Sequence, residues 1–223
     1  MTKAELVGEE NLKKADTGPA RPFAWLQPNR FPKPQKRDFL TVVSGLPRSG
    51  TSLMMQILDQ SGFSALADDA RVADESNPKG YFELEAVKRL RTESPDWLRE
   101  SEGKSVKVIA QLLRFLPLPG DYRVIFMQRP LDEVVRSQQK MLKSLGRKGG
   151  EMSISRMQTA YHGQLLLISA WLHKQNIPVQ IINYHDCLTK PKAVAANLTH
   201  FLGELISTQQ VASRVDPSLY RNR

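Results

Sequence analysis

An almost wholly apolar, β-branched run, Phe39-Leu-Thr-Val-Val-Ser44, leads straight into the tight loop Gly45-Leu-Pro-Arg-Ser-Gly50, and a Met- and Leu-rich helical pattern follows from Thr51. A strand without polar alternation is buried on both faces, which calls for a parallel sheet covered by helices on either side. Gly45 and Gly50 have the G-x-x-x-x-G spacing of a phosphate loop, and Ser52 stands where that motif has its Ser or Thr. Thr51 occupies the position of the usual lysine, and the loop's only cation is Arg48. Backbone N–H groups and the start of the helix still converge on one point, so the loop can wrap an anion. It lacks the lysine that reaches the terminal phosphates of ATP or GTP, and so it reads as a phosphate loop rebuilt for another anion.

From Phe39 onward the chain alternates between strand and helix patterns. Strands are predicted at 39–44, 105–110, 122–127 and 179–184, and helices at 51–60, 84–92, 131–145, 153–175 and 191–203. The expected fold is a three-layer α/β domain, P-loop-like, with a central parallel sheet of four or five strands flanked by helices. Ligands of such sheets bind at the carboxyl ends of the strands. Gly45, Arg129 and His185 each follow closely after a predicted strand, so their loops should share one rim. The expected organisation is an extended, Pro-rich arm over 1–37, an α/β domain over 38–205 and a basic tail over 206–223. Phe23, Trp25 and Phe31 within the arm predict that it lies on the domain.

Charge narrows the partners. Thirty-two Lys and Arg against 23 Asp and Glu give a net charge of +9, which favours anionic ligands. The basic residues are dispersed and do not alternate with aromatics, so no dedicated nucleic-acid surface is expected. Cys187 is the single cysteine, which excludes an intrachain disulfide and a Cys/His metal array and fits a reducing compartment. No apolar leader core or membrane-length apolar run is visible, so the expectation is a soluble, cytoplasmic protein without membrane insertion.

The segment Leu46-Pro-Arg-Ser-Gly-Thr-Ser-Leu53 resembles the 5′-phosphosulfate loop of sulfotransferases that use 3′-phosphoadenosine-5′-phosphosulfate (PAPS). The resemblance covers about residues 38–205 and assigns Pro47, Arg48, Ser49, Gly50, Thr51 and Ser52 to the phosphosulfate. A second motif fits the same frame. In that family the 3′-phosphate is bound by an Arg at a strand end and a Ser eight residues later, and here Arg129 is followed by Ser137. The planar fork of Arg suits phosphate oxygens. Tyr184-His-Asp-Cys-Leu resembles the segment whose Tyr packs near the adenine, and Lys107 stands where relatives place a Lys beside the transferring group. The chain is similar to compact bacterial members, with Asn77-Pro-Lys-Gly-Tyr-Phe-Glu83 after the loop.

The departures from the family bear on catalysis. The position two residues after Lys107, a catalytic His in many relatives, is Ile109; Leu53 replaces an aromatic; and the late Arg-Lys-Gly segment is absent, although Tyr220-Arg-Asn-Arg223 supplies a basic end. Transfer to a hydroxyl needs a proton acceptor. The segment 68–83 offers Glu83, Glu75 and Asp74 as candidates, while His162, His173, His185 and His200 are dispersed, and the last two, near helix or strand ends, read as structural. The resemblance implies PAPS as co-substrate, no required metal, Arg48 and Lys107 at the reacting group, and a small-molecule, carbohydrate or peptide acceptor. Two other classes compete: a P-loop nucleotide kinase or phosphotransferase, which would need magnesium, and a catalytically silent nucleotide-binding scaffold.

Overall fold

The computed structural model describes residues 21–27, 30–68, 81–144 and 153–214. Five parallel strands form one sheet: β1 (Leu40–Gly45), β2 (Ala65–Leu66), β3 (Ser105–Lys107), β4 (Tyr122–Gln128) and β5 (Val179–Asn183), in the order β2-β3-β1-β4-β5. The helices are α1 (Thr51–Gln60), α2 (Glu85–Lys88), α3 (Leu131–Ser144), α4 (Ile154–Lys174), α5 (Tyr184–Thr189), α6 (Pro191–Leu202) and α7 (Thr208–Arg214). The expected three-layer α/β architecture with a central parallel sheet is what the chain adopts.

Strand period two explains the layers. Leu40, Val42, Val124, Phe126 and Val179 face a core built with Val134 of α3 and Leu165, Ile168 and Leu172 of α4. Val43, Ile125, Met127 and Ile182 face the opposite core, with Met54, Met55, Ile57 and Leu58 of α1 and Val194, Leu198 and Phe201 of α6. The central strands are therefore buried on both sides, as their unbroken apolar runs require. Local signals set the helix ends. Ser153 accepts from the Arg156 amide to start α4, and Pro191 begins α6, which Gly203 ends in the left-handed region at φ 82°.

Strand β3 stops at Lys107 rather than running to 110. Its neighbour β1 turns into the loop at Gly45, and the last contact between them is Val108 N–H to the Val43 carbonyl at 3.0 Å. The outer neighbour β2 ends at Leu66, opposite Val106, and beyond it the chain coils into a 3-10 turn over Ala110–Phe115 that buries Ala110 and Leu113. The 84–92 helix is likewise shorter, keeping four residues and continuing as turns through Glu93.

Residues 21–27 are pinned to the domain. Phe23 N–H and Trp25 Nε1–H both donate to the buried Ser169 hydroxyl, at 2.7 and 2.8 Å, and Trp25 stacks on His173 with ring centroids 4.5 Å apart. Beyond residue 205, Ile206 and Val211 enter the core, and Arg214 Nε donates to Gln60 Oε1 at 2.7 Å. Among the described residues, no helix is long and apolar enough to cross a membrane.

The strand order fixes the place of a site. From β1 the chain moves outward to β2 and back to β3 on one side of β1, then crosses to β4 and β5 on the other. The crevice at the carboxyl end of β1, between β3 and β4, is the topological switch point of the sheet, where open α/β sheets bind ligands.

Candidate anion site at the carboxyl end of β1

The loop between β1 and α1 is shaped by close contacts. Gly45 has φ 153°, and a Cβ there would overlap the Ser49 hydroxyl and come within 2.8 Å of the Met127 carbonyl. Gly50, at φ 100°, lies against the Tyr184 ring, where a Cβ would be 2.5 Å from the nearest ring carbon. Arg48 itself has φ 69°, a conformation that costs a non-glycine residue roughly 1–2 kcal/mol. Such strain concentrates at binding loops. Ser49 is 1% exposed and its hydroxyl has no hydrogen-bond partner among the described residues, an uncommon state for a buried polar group.

On the β4–β5 side of the loop, the residues expected to hold a second phosphate come together. Arg48 Nε donates to Ser137 Oγ at 3.0 Å, and Ser137 is buried in the first half of α3. Arg129, immediately after β4, donates through Nη1 to the Arg48 carbonyl at 3.3 Å and through Nε to Glu133 Oε2 at 2.8 Å. Its guanidinium lies 4.8 Å from the centroid of Tyr184, the first residue of α5. Tyr184 thus separates Gly50 from Arg129 and touches both. His185 Nε2 lies 3.2 Å from the same Glu133 oxygen. Burial alone would raise the Glu133 carboxyl, but the hydrogen bonds from Arg129 and His185, reinforced by their charges, hold it below its ordinary range.

On the β3 side, Lys107 is 7% exposed and donates to the Tyr81 carbonyl. Its ammonium is 3.5 Å from Glu83 Oε1 and 5.8 Å from the Tyr81 ring centroid. Ser52 Oγ, in the first turn of α1, donates to the same Tyr81 carbonyl at 3.5 Å. One carbonyl therefore links the anion loop to the Lys107–Glu83 pair. Lys107 sits on an interior strand and not at the sheet edge. Ile109, two residues on, is 38% exposed at the rim.

Glu83 does not start the helix beside it. The Glu85 amide is held by Asp68 Oδ2 at 2.6 Å, and the capping position, Leu84, makes no side-chain hydrogen bond. Asp74 and Glu75 lie outside the described residues. Arg48, Arg129, Ser137 and Tyr184 form one connected group; Lys107 and Glu83 form a second, joined to the loop through Ser52. Sequence reasoning passed over Glu133, and it placed His185 on the rim without giving it a partner. Glu133 had a signal, since it stands four residues after Arg129 at helical i,i+4 spacing. Asp132 and Arg136 form a second i,i+4 pair, exposed on α3, at 3.8 Å.

No protein-family model matches the chain, and no curated protein matches it. Among solved structures, the chain is similar to the sulfotransferase domain from the Synechococcus PCC 7002 olefin synthase, with 13% identity and a TM-score of 0.45 over 82% of this chain and 80% of that one. It is also similar to the sulfotransferase domain from the curacin biosynthetic pathway, with 14% identity and a TM-score of 0.47 over 80% of this chain and 78% of that one. These are likenesses of backbone course. What the protein does has to be argued from its own side chains.

Proposed function

We propose that the protein transfers the sulfuryl group of PAPS to an acceptor hydroxyl and releases adenosine 3′,5′-bisphosphate. The observation that supports this best is the linkage of two anion-binding elements. The phosphate-loop Arg48 bonds Ser137, and the strand-end Arg129 bonds the Arg48 backbone, so one ligand carrying two anionic groups would engage both. A ligand with a single phosphate chain gives the Arg129–Ser137 element no task.

In this reading, loop N–H groups from Arg48 to Thr51 and the Arg48 guanidinium hold the phosphosulfate and stabilise charge on the leaving phosphate, the preorganised electrostatics that dominate the related phosphoryl transfers. Arg129 and Ser137 hold the 3′-phosphate and fix the register of the reacting group. Tyr184, packed on Gly50 and Arg129, supplies an aromatic face for the base. The acceptor oxygen forms its bond to sulfur as the sulfur–oxygen bond to the 5′-phosphate breaks. Lys107 faces the charge on the sulfuryl oxygens, and the acceptor's proton passes to the Glu83 carboxylate beside it. No step requires a divalent cation, because Arg48, Lys107 and the loop amides carry the positive charge.

A mass-spectrometric assay tests the proposal: PAPS is incubated with the protein and a panel of phenols, sugars and peptides, with and without EDTA. Stoichiometric appearance of bisphosphate and sulfated acceptor, unaffected by EDTA, is the expected result. Transfer from ATP that depends on magnesium would replace the proposal with the kinase reading.

A further inference from the structure

The proposed anion site contains an anion of its own. Glu133 has an 8%-exposed Arg129 side chain at 2.8 Å, and its own side chain is only 12% exposed. A guanidinium buried to that degree without a counter-ion is costly, so Glu133 solves a problem of the ligand-free protein. The same carboxylate becomes a competitor once a phosphate arrives at Arg129, because both negative groups then share one cation. We infer that Glu133 is a built-in counter-ion of the 3′-phosphate site, which orients Arg129 by its Nε edge and limits how tightly the bisphosphate product is held. The inference rests on the sulfotransferase reading of the site.

Geometry separates the two jobs of Glu133. Its Oε2 accepts from Arg129 Nε, while the Nη1 donor is directed to the Arg48 carbonyl, so the fork is fixed by contacts from α3 and from the loop together. The stack on Tyr184 fixes the plane. An uncharged acceptor at position 133 would keep this orientation and remove the repulsion. Two like charges bound to one guanidinium repel by enough to change affinity about tenfold or more. The other charged groups near the cluster are Arg48 on the loop, His185 at 3.2 Å from Glu133, and Asp186, whose carboxylate is itself paired with Lys190 at 3.1 Å. The lowered titration of Glu133 agrees with a carboxylate that stays charged while the ligand is bound.

The test is calorimetry and dissociation kinetics of adenosine 3′,5′-bisphosphate and of AMP with wild type and Glu133→Gln at pH 8, where an ordinary imidazole is neutral. The amide oxygen of the variant still accepts from Arg129. The expected result is bisphosphate binding tightened about tenfold, with correspondingly slower release, while AMP affinity changes by less than about twofold. A purely structural role predicts unchanged or weaker bisphosphate binding, and that result in a folded variant overturns the inference. Equal wild-type affinity for bisphosphate and AMP would instead overturn the sulfotransferase reading, and this inference with it. Should Glu133→Gln fail to fold, His185→Phe serves. It leaves the carboxylate charged with one donor fewer, so bisphosphate binding should weaken about threefold while AMP binding stays unchanged; equal weakening of both nucleotides, or unchanged or tighter bisphosphate binding, counts against the inference.

Discussion

The two sides of the loop after β1 each pair a buried cation with a carboxylate, yet the pairs differ. Glu133 is held at 2.8 Å by Arg129 and at 3.2 Å by His185, with its side chain 12% exposed. Glu83 stands 3.5 Å from Lys107 and is 23% exposed, about twice as open. The first acid is held by two donors and, in the proposed function, belongs to the scaffold of the anion site. The second is longer in its ion pair and nearer to solvent, the condition a carboxylate needs if it is to exchange a proton with an incoming hydroxyl. Their cations differ in the same sense. The fixed fork of Arg suits a phosphate that must stay in register, while the compact ammonium of Lys suits a charge that moves during the reaction.

This contrast can be broken by substitution. The largest effect should come from Glu83→Gln, which removes the proton acceptor and should lower turnover by roughly two to four decades. Affinity for the bisphosphate, measured by calorimetry on the same preparation, should stay within about threefold of wild type. Turnover that survives while only thermal stability falls would assign Glu83 to structure alone. A smaller effect follows from Gly50→Ala, on the other side. The left-handed backbone alone costs Ala roughly 1–2 kcal/mol, and the added Cβ must displace the Tyr184 ring. The melting temperature should drop by roughly 2–8 °C, with loss of nucleotide affinity. An unchanged melt and unchanged binding would mean that Tyr184 is not held where the loop needs it.

The smallest effect concerns pH. Glu133 titrates below its ordinary 4.5 in the folded protein, so its ionised form stabilises the fold above that value. That contribution is lost as pH falls through the depressed folded value. Thermal melts of Glu133→Gln should therefore lie below wild type at neutral pH, and the two should converge in acid. A gap that widens with acidification would reverse the sign of the argument.

Much of this was legible in the chain. Phe39–Ser44 and Tyr122–Met127 are apolar without alternation, and only a doubly covered parallel strand uses such a run. The loop glycines were picked out by their five-residue spacing, and Arg129 and Ser137 by a family resemblance that rests on an eight-residue spacing; the structure brings both sets to the carboxyl end of β1. Strand β2 escaped because two residues carry no period, and α5 because its six residues follow β5 without a turn signal. The end of β3 was misjudged because Val108 and Ile109 are as apolar as the strand before them. What coincides with the strand's end is the end of the outer neighbour β2 at Leu66, opposite Val106, a fact of topology. Glu133 and its contact with His185 were missed because they depend on which face of α3 meets the start of α5. Lys107 stands between the apolar Val106 and Val108, and only the strand order places it in the interior of the sheet.

One calorimetric comparison bears on the whole reading: adenosine 3′,5′-bisphosphate against AMP, for wild type and for Arg129→Ala. Arg129 is bonded to the Arg48 backbone and to Glu133, and its charge-assisted contact with a 3′-phosphate is worth on the order of 1.5–3 kcal/mol. Wild type should therefore prefer the bisphosphate by about one to two decades, and Arg129→Ala should abolish that preference while leaving AMP binding nearly unchanged. Equal affinity for the two nucleotides in wild type and variant alike would contradict the assignment of this site.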